Sequence, residues 1–450
     1  MTTDKFDAPI LIIGGGPIGL ALALDLAWRG QRSTLIERDS GTATVMLAKA
    51  NGLHERTMET CRRWGLVENI KTVGFPPDLP GDSVYCTSVT GHLIGRTIMG
   101  STNSRPLPEQ TPEKRQRCAQ YEFDPLLANA VKSYGLTEIR YSTEFLSMQQ
   151  DETGVSVHLG DLANGRDYVL RSCFLVSCEG AASRVRRQLE IPFEGKTLDF
   201  SLSAMVRMPD LTAYGAIENA ERFIFIGTEG AWGNLTAVDG RGIWRFTILG
   251  SQAKLDAAHY DIRPDIRRAL GSDNLEFEIV RLLPWRRSQC VAATYRVGRV
   301  LLAGDSAHTT SPTGGHGMNT GVADAVDLSW MLDAILNGWG DEGLLSAYDL
   351  ERRPVGIRNS LNSAHNYRAW VQSEGYQDVF DDGRRGVDCR AAIGRRLEQT
   401  LHGEWHSLGI ELGYRYEQSP IIIPDGTTAT ADDITNYIPT ARPGHRAPHA

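Results

Sequence analysis

Three glycines, Gly14, Gly16 and Gly19, followed at some distance by the acid Glu37, are the first residues whose types and spacing could do chemistry. In a Gly-x-Gly-x-x-Gly turn the first glycine makes the bend, the second admits a pyrophosphate, and the third lets helix and strand pack closely. Pro17 and Ile18 fill the gap before the third. A helix opening there offers free N–H groups and about half a positive charge to phosphate, and Glu37 can accept hydrogen bonds from ribose hydroxyls. A glycine triplet alone is weak, but strand, turn, helix and acid occur here in order, so the pattern implies a bound dinucleotide.

A second group chooses among dinucleotides. The segment Gly298-Arg-Val-Leu-Leu-Ala-Gly304-Asp305-Ser-Ala-His308 delivers Asp305 to the end of an apolar strand, where a carboxylate can accept bonds from a sugar-alcohol chain such as ribityl. Next comes Pro312-Thr-Gly-Gly315-His316-Gly317-Met318-Asn319, a loop that lets backbone approach a planar ring and then opens a helix. Helix N-terminal amides aimed at a flavin would stabilise the negative charge that builds on reduction. Together these motifs point to FAD. Only one Gly-x-Gly-x-x-Gly, at Gly14–Gly19, stands between a strand and a helix (Gly338-x-Gly340-x-x-Gly343 follows a helical stretch instead), so NADPH or NADH has no nucleotide domain of its own and visits as a transient co-substrate. His308 and His316 are candidate proton handlers, although loop histidines are more often structural.

The elements that must position these residues can be read around them. Pro9–Ile13 reads as a strand, Leu20–Ala27 as a helix and Ser33–Glu37 as the next strand of a βαβ unit. Between about Phe200 and Val280, β-rich segments broken by glycines predict an inserted antiparallel sheet. A buried strand returns at Val300–Ala303, an amphipathic helix runs from about Gly321 to Leu336, the pattern beyond Pro354 is mainly helical, and loop follows from about Pro420. The expected fold is α/β: a Rossmann-like FAD-binding domain (1–75, 105–195 and 285–360), an inserted substrate-binding sheet domain (76–104 and 196–284), and a helical C-terminal region (361–450). A length of 450 residues suits such a multi-part chain. The formal charge of -8 argues against nucleic acid or an anionic membrane as partner, and no apolar run approaches the ~20 residues of a bilayer span. With no signal peptide at the start, a cytoplasmic location is expected. The seven cysteines lack Cys-x-x-Cys pairing, which suits reduced thiols better than a disulfide frame, and no metal site is expected.

On these motifs the chain resembles the aromatic-ring hydroxylases of the flavoprotein monooxygenases, the phenol and para-hydroxybenzoate hydroxylase type. The likeness extends to Arg56-Thr-Met-Glu-Thr-Cys-Arg-Arg-Trp-Gly-Leu66 on a first long helix, Gln120 before Tyr121-Glu-Phe-Asp, Phe174-Leu-Val-Ser-Cys-Glu179-Gly180, and Tyr348-Asp-Leu-Glu-Arg352-Arg353-Pro354. The resemblance implies that Gly14, Gly16, Pro17, Ile18, Gly19, Glu37, Arg38 and Gln120 hold the ADP half, with Lys49 and Arg56 near the cofactor. It further implies that Gly304 and Asp305 bind ribityl and that Gly315, Gly317, Met318 and Asn319 present backbone to the isoalloxazine. Pro312 would stand where a flavin hydroperoxide forms, and Glu179-Gly180 would serve FAD and NAD(P)H. The implied reaction spends NAD(P)H and O2 to hydroxylate a phenolic or polycyclic polyketide-type aromatic.

The chain has Glu179 for the family's aspartate, Lys49 for an arginine, His316 for a glutamine, and Asn51 where phenol hydroxylases have an acid or histidine. Asn51 can orient a substrate hydroxyl but cannot take its proton. Tyr214, Trp232, Trp244 and Trp285 are candidates to line an aromatic pocket. The tail, with Leu408–Tyr416 and Pro443–His449, resembles the lead into a thioredoxin-like domain, before which the chain stops, and a homodimer is left open. The alternatives are a Baeyer-Villiger or epoxidising monooxygenase, which the same fold can host, and a flavin-binding protein that has lost turnover. A halogenase would want a Trp-x-Trp-x-Ile-Pro segment that is absent.

Overall fold

In the computed structural model, which describes residues 6–42, 49–209, 211, 217 and 220–449, the strands form two eight-stranded sheets, and Asp305, Pro312 and Gly315 stand exposed on an open surface, the cleft. The first sheet has a parallel centre: Val300–Leu302, Arg166–Ser177, Ala8–Ile13, Ser33–Ile36 and Thr137–Arg140 lie side by side in that order. Ala8–Ile13, Ser33–Ile36, Val300–Leu302 and the second half of Arg166–Ser177 are buried on both faces, as the centre of a parallel sheet requires, while the edge strand Thr137–Arg140 is polar. The helix Pro17–Trp28 is buried from Gly19 through Ala27. Such a helix, apolar all round, is stable only when enclosed, and here it lies against the helices Gln120–Tyr134 and His316–Leu336. Its one acid, Asp25, is compensated by Arg63, Arg29 and the Trp64 indole N–H at 2.8 Å.

The second sheet runs His308–Thr309, Glu278–Ala292, Phe193–Arg207, Ile243–Ser251, Gly230–Ala237, Arg222–Gly227, Ser83–Cys86 and Leu93–Thr97. It is antiparallel, as expected, except that Arg222–Gly227 pairs in parallel with Ser83–Cys86. No hairpin links those two strands, which come from distant parts of the chain, so nothing forces them to oppose. Strand alternation divides the sheet's faces. Leu202, Ala204, Val206, Phe223, Phe225, Leu235 and Phe246 pack on the helix Arg263–Leu270. The other face carries Ser203 and Thr247, whose hydroxyls bond at 2.9 Å, and beside them Arg245. Residues 196 and 284 fall inside two fifteen-residue strands, Phe193–Arg207 and Glu278–Ala292, that pair with each other along their length in the second sheet.

Two local expectations change, and the helical pattern expected beyond Pro354 is present but starts earlier. The helix bearing Arg56 covers only Glu55–Arg63. The later amphipathic helix begins at His316 rather than Gly321, because Gly314 and Gly315, at φ 87° and 72°, make the turn that starts it. Pro354 lies inside the helix Gly343–Trp370. After the short helix Leu408–Leu412 the tail wraps back along the first domain, held by Arg358–Asp432 at 2.7 Å and by Arg446–Glu59. No helix among the described residues is long and apolar enough to cross a membrane.

Candidate active site

At the end of the first strand Gly14 adopts φ 108°, and a Cβ there would lie 2.4 Å from the Cys178 carbonyl oxygen. A Cβ on Gly19 would stand 1.9 Å from the Gly14 carbonyl oxygen, so turn and helix touch through the missing side chain. Gly16 differs: a Cβ there meets nothing within 4 Å and points into the cleft. Glu37 reaches under the turn, accepting the Gly15 N–H at 2.6 Å and the Asp39 N–H at 2.8 Å. A carboxylate has lone pairs beyond these two, enough for a ribose diol. Pro17 opens the helix, where its missing N–H costs nothing, and Arg38 is exposed beside Glu37.

Gly304, at φ 61°, packs so tightly on Ile18 that a Cβ would lie 2.9 Å from that side chain. This contact joins the two motifs. Asp305 is accessible but recessed: surrounding protein raises its carboxyl pKa, while His308 and Lys49 pull the other way. Lys49 acts in the same sense on Asp124, whose carboxyl burial pushes up to about 7. Asp124 accepts from the Gln120 amide at 3.0 Å and so aims that side chain, while its other oxygen is unpartnered among the described residues. Sequence reading passed over Asp124, although its place four residues after Gln120, on one helix face, was the available signal.

Pro312 and Gly315 are exposed to the cleft, and the Gly315 N–H closes the turn on the Pro312 carbonyl at 3.0 Å. Behind the loop, Asn319 is fully used: it accepts from the His54 N–H and the Thr57 hydroxyl, and donates to the Gly52 and Gly315 carbonyls. It locks the segment bearing Asn51 against the glycine turn, with Met318 buried beside it and Gly317 on the same first helical turn. Glu404, from the short helix His402–Trp405, accepts the Gly314 N–H at 3.3 Å and the Trp370 indole N–H at 2.7 Å. Nothing local in the sequence signals Glu404.

Several predicted site residues stand elsewhere. Arg56 turns away from the cleft to Glu59 at 2.9 Å and the Tyr414 hydroxyl at 3.3 Å. His316 is buried behind the loop, against the His54 ring and 3.3 Å from the Asn362 amide; burial holds its pKa well below the ordinary value, so it is neutral and does not face the cleft. Trp232 stacks on Phe225 and Trp244 packs near Phe223, both on the sheet's apolar far side, leaving Trp285 on the cleft side with its indole on Ser203 at 2.9 Å. Tyr214 lies outside the described residues. His308 is fully buried and bonded to Asp324 at 2.7 Å, a structural placement.

Glu179 caps a helix. One oxygen accepts from Ser177, Ser183 and the Val185 N–H at 3.1, 2.8 and 3.0 Å, tying the start of Arg184–Gln188, while Gly180 beside it bends at φ 80°. The extra methylene relative to aspartate spends the carboxylate on this cap. Glu179→Ala should therefore cost about 1–2 kcal/mol of stability and change KM for NAD(P)H by less than about threefold. A large KM effect with stability unchanged would return the residue to the nicotinamide.

Under the glycine loop, Glu55 and Glu411 are buried side by side with His54 and Arg115. Burial, then Glu411, pushes the Glu55 carboxyl up to about 8, so the folded protein keeps a proton there that the unfolded chain gives up near 4.5. Between those values the native state binds more protons, and stability falls as pH rises through the window. Glu55→Gln should remove that decline. Melting temperatures measured across the range should diverge from wild type toward the alkaline end, by the equivalent of a few kcal/mol; parallel curves would refute the assignment.

Comparison with known proteins agrees with this geometry. The family described as FAD binding domain matches residues 7–363. A putative polyketide hydroxylase of Streptomyces halstedii is 32% identical over 98% of this chain and 76% of its own length. The solved structure of the rebeccamycin biosynthetic enzyme RebC with reduced flavin is 36% identical, with TM-score 0.89 over 98% of this chain and 82% of that one. The flavin-dependent monooxygenase PieE in complex with FAD and substrate superposes with TM-score 0.88 at 30% identity, covering 98% and 80%.

Proposed function

This chain belongs to the FAD-binding family of flavoprotein aromatic monooxygenases, and from that premise we propose that it hydroxylates a polycyclic, polyketide-type phenol held between the glycine loop and the polar face of the second sheet. It is an FAD-dependent enzyme that uses NAD(P)H and O2 on aromatic substrates. The observation that carries the finer reading is what the two glycine motifs leave open: unfilled space at Gly16, exposed Asp305, Pro312 and Gly315, and near them an Asn51 amide without an acceptor among the described residues, its segment tied to Gly315 through Asn319. The streptomycete relative named as a polyketide hydroxylase supports a polycyclic substrate.

The residues present fit FAD. Gly16 leaves open the space a pyrophosphate needs, Glu37 keeps lone pairs for the ribose, Asp305 is exposed with no hydrogen-bond partner among the described residues, and Gln120 is held by Asp124. In this reading Gly14, Gly16, Gly19, Glu37, Arg38, Lys49 and Gln120 bind the ADP half, Asp305 the ribityl, and the turn Pro312–Asn319 the ring. FAD, when bound, supplies the transfer of reducing equivalents from NAD(P)H and the activation of O2. The chain's own work is then to exclude water from that space, aim the substrate with the Asn51 amide, and stabilise developing negative charge with the amides at the start of His316–Leu336.

The test is NAD(P)H consumption by the FAD-loaded protein against phenols, hydroxybenzoates and polycyclic phenols, with products weighed by mass spectrometry and their structures assigned by NMR. Stimulated consumption with a product one oxygen heavier is expected from a polycyclic phenol. Consumption that stays flat across the panel would overturn the reading, and an inserted ring oxygen or an epoxide would replace hydroxylation by that chemistry.

A further inference from the structure

A buried ion pair stabilises a fold no better than apolar side chains of the same volume, so such a pair is best understood by what it fixes in place. Asp199 and Arg287 are such a pair. They stand opposite each other on neighbouring strands of the second sheet, both buried, with the guanidinium Nε donating to the carboxylate at 3.1 Å. Asp199 also accepts the Gly250 N–H at 2.9 Å and the Tyr367 hydroxyl, so three strands and the helix Gly343–Trp370 meet on one carboxylate. The pairing shifts register between Thr197 and Asp199, an irregularity of the kind that re-aims a side chain.

The rest of the guanidinium makes two further contacts. Its Nη1 donates to the Ser311 hydroxyl at 2.9 Å, and the cation packs on the rings of Trp285 and Tyr367, 4.8 and 4.2 Å from their centres. Trp285 lies two residues before Arg287 and so shares its face of the strand, half-buried, with its indole N–H on Ser203. Ser311 is fully buried, yet the residue after it, Pro312, is exposed. Beyond Pro312 the turn is held by helices instead: the Thr313 hydroxyl donates to the Ser363 carbonyl at 2.6 Å, the Gly314 N–H to Glu404, and the Gly315 carbonyl accepts from Asn319. One guanidinium therefore touches an aromatic side chain of the sheet and the residue that carries Pro312.

We propose that Arg287 is a positioning residue that sets specificity: it holds Trp285 and Pro312 at a fixed separation, so that the space between them admits a flat aromatic ring and resists a puckered one. This rests on the reading that the substrate lies between the glycine loop and the second sheet, and adds what sets the width. Saturating one ring of a bicyclic phenol puts hydrogens on both of its faces and thickens it while leaving its apolar area nearly unchanged. A space whose two sides are tied through an ion pair and a hydrogen bond cannot widen to accept the thicker ring without breaking one of them.

The experiment titrates FAD-loaded protein with naphthol and with the tetrahydronaphthol whose hydroxyl-free ring is saturated, reading the change in flavin absorbance, which needs no turnover. Wild type is expected to bind naphthol at least about tenfold more tightly. Ser311→Ala, which cuts the tie and leaves the ion pair, should bring the two affinities within about threefold of each other. Arg287→Lys, which keeps the charge and loses the fork, should do the same, and Ser311→Ala decides if that variant fails to fold. Combining the two should add nothing, because both cut one link. Tyr367→Phe removes a bond to the same carboxylate but keeps the ring and the Ser311 tie, and should keep the wild-type ratio. Equal binding by wild type, a ratio that survives in Ser311→Ala, an additive double variant, or an equal loss in Tyr367→Phe overturns the proposal. Turnover separates it from the reading beneath it. If naphthol gains an oxygen but the ratio does not depend on Ser311, hydroxylation stands and the fixed separation falls; if the ratio depends on Ser311 but no aromatic gains oxygen, the separation stands and hydroxylation falls. If neither compound perturbs the flavin, both fall.

Discussion

Arg352→Met is expected to lower the unfolding free energy by about 3–5 kcal/mol, the usual cost of leaving one member of a buried ion pair uncompensated. Arg352 is fully buried on the helix Gly343–Trp370, bonded through Nε to Asp324 at 2.8 Å, through Nη1 to the Tyr416 hydroxyl at 2.9 Å and through Nη2 to the Thr320 carbonyl at 3.1 Å. Asp324 is the pivot. Its other oxygen accepts from His308 at 2.7 Å and from the Gly304 N–H at 3.1 Å, so one carboxylate joins the core to the turn that presents Asp305. Burial would raise the Asp324 carboxyl, but His308 and Arg352 outweigh it and hold its pKa below the ordinary value. A carboxyl depressed in this way contributes stability above its unfolded pKa and loses it as pH falls through the folded one. With methionine at position 352 that acid sensitivity should move to higher pH, because the strongest permanent cation is gone. Methionine preserves much of the stem's volume, which keeps a cavity from dominating the result. Urea unfolding of the FAD-free and FAD-loaded variant would check both parts. A loss under about 1 kcal/mol would mean that water and the remaining hydrogen bonds to Asp324 replace the guanidinium.

The second large effect separates two glycines of one motif. Gly14→Ala should abolish FAD retention and also destabilise the FAD-free protein, because φ 108° is a glycine conformation and the new methyl would lie 2.4 Å from the Cys178 carbonyl oxygen. Backbone strain of that kind costs about 1–3 kcal/mol before the clash is counted. Gly16→Ala should leave the FAD-free melting temperature near wild type, since its methyl meets nothing within 4 Å, yet weaken FAD at least about a hundredfold by filling the space meant for pyrophosphate. Thermal unfolding of the stripped proteins and FAD titration by fluorescence distinguish the cases. If Gly16→Ala binds FAD normally, the pyrophosphate does not pass over that residue.

Much of the fold was legible because the signals are local. A continuous apolar strand, a glycine turn and an apolar helix within Ala8–Trp28 specify a buried βα unit wherever they occur, and Gly304-Asp305 after Val300–Leu302 repeats that logic. Other assignments depended on rotation about elements that periodicity does not fix. Arg56 sits on a genuine helix, but the returning tail with Tyr414 supplies a closer partner than the cleft does. His316 starts the right helix, facing His54 rather than the cleft. A bulge between Phe225 and Ile226, opposite Trp232, helps set that ring onto the apolar face, which a sequence of aromatic and small residues does not announce.

What this sequence determined by itself is the class of chemistry: a dinucleotide turn, an acid at a strand end and a glycine loop opening a helix, each written in consecutive residues because each is one local backbone event. What only the tertiary structure decided is which polar groups pair behind the site and which are left over. Arg287, Asp124, Glu404 and Asp324 come from four separate helices and strands, and their roles depend on which neighbours packing brings to them. Desolvation and pairing are properties of the assembled interior, set by contacts between elements that no local stretch of sequence contains.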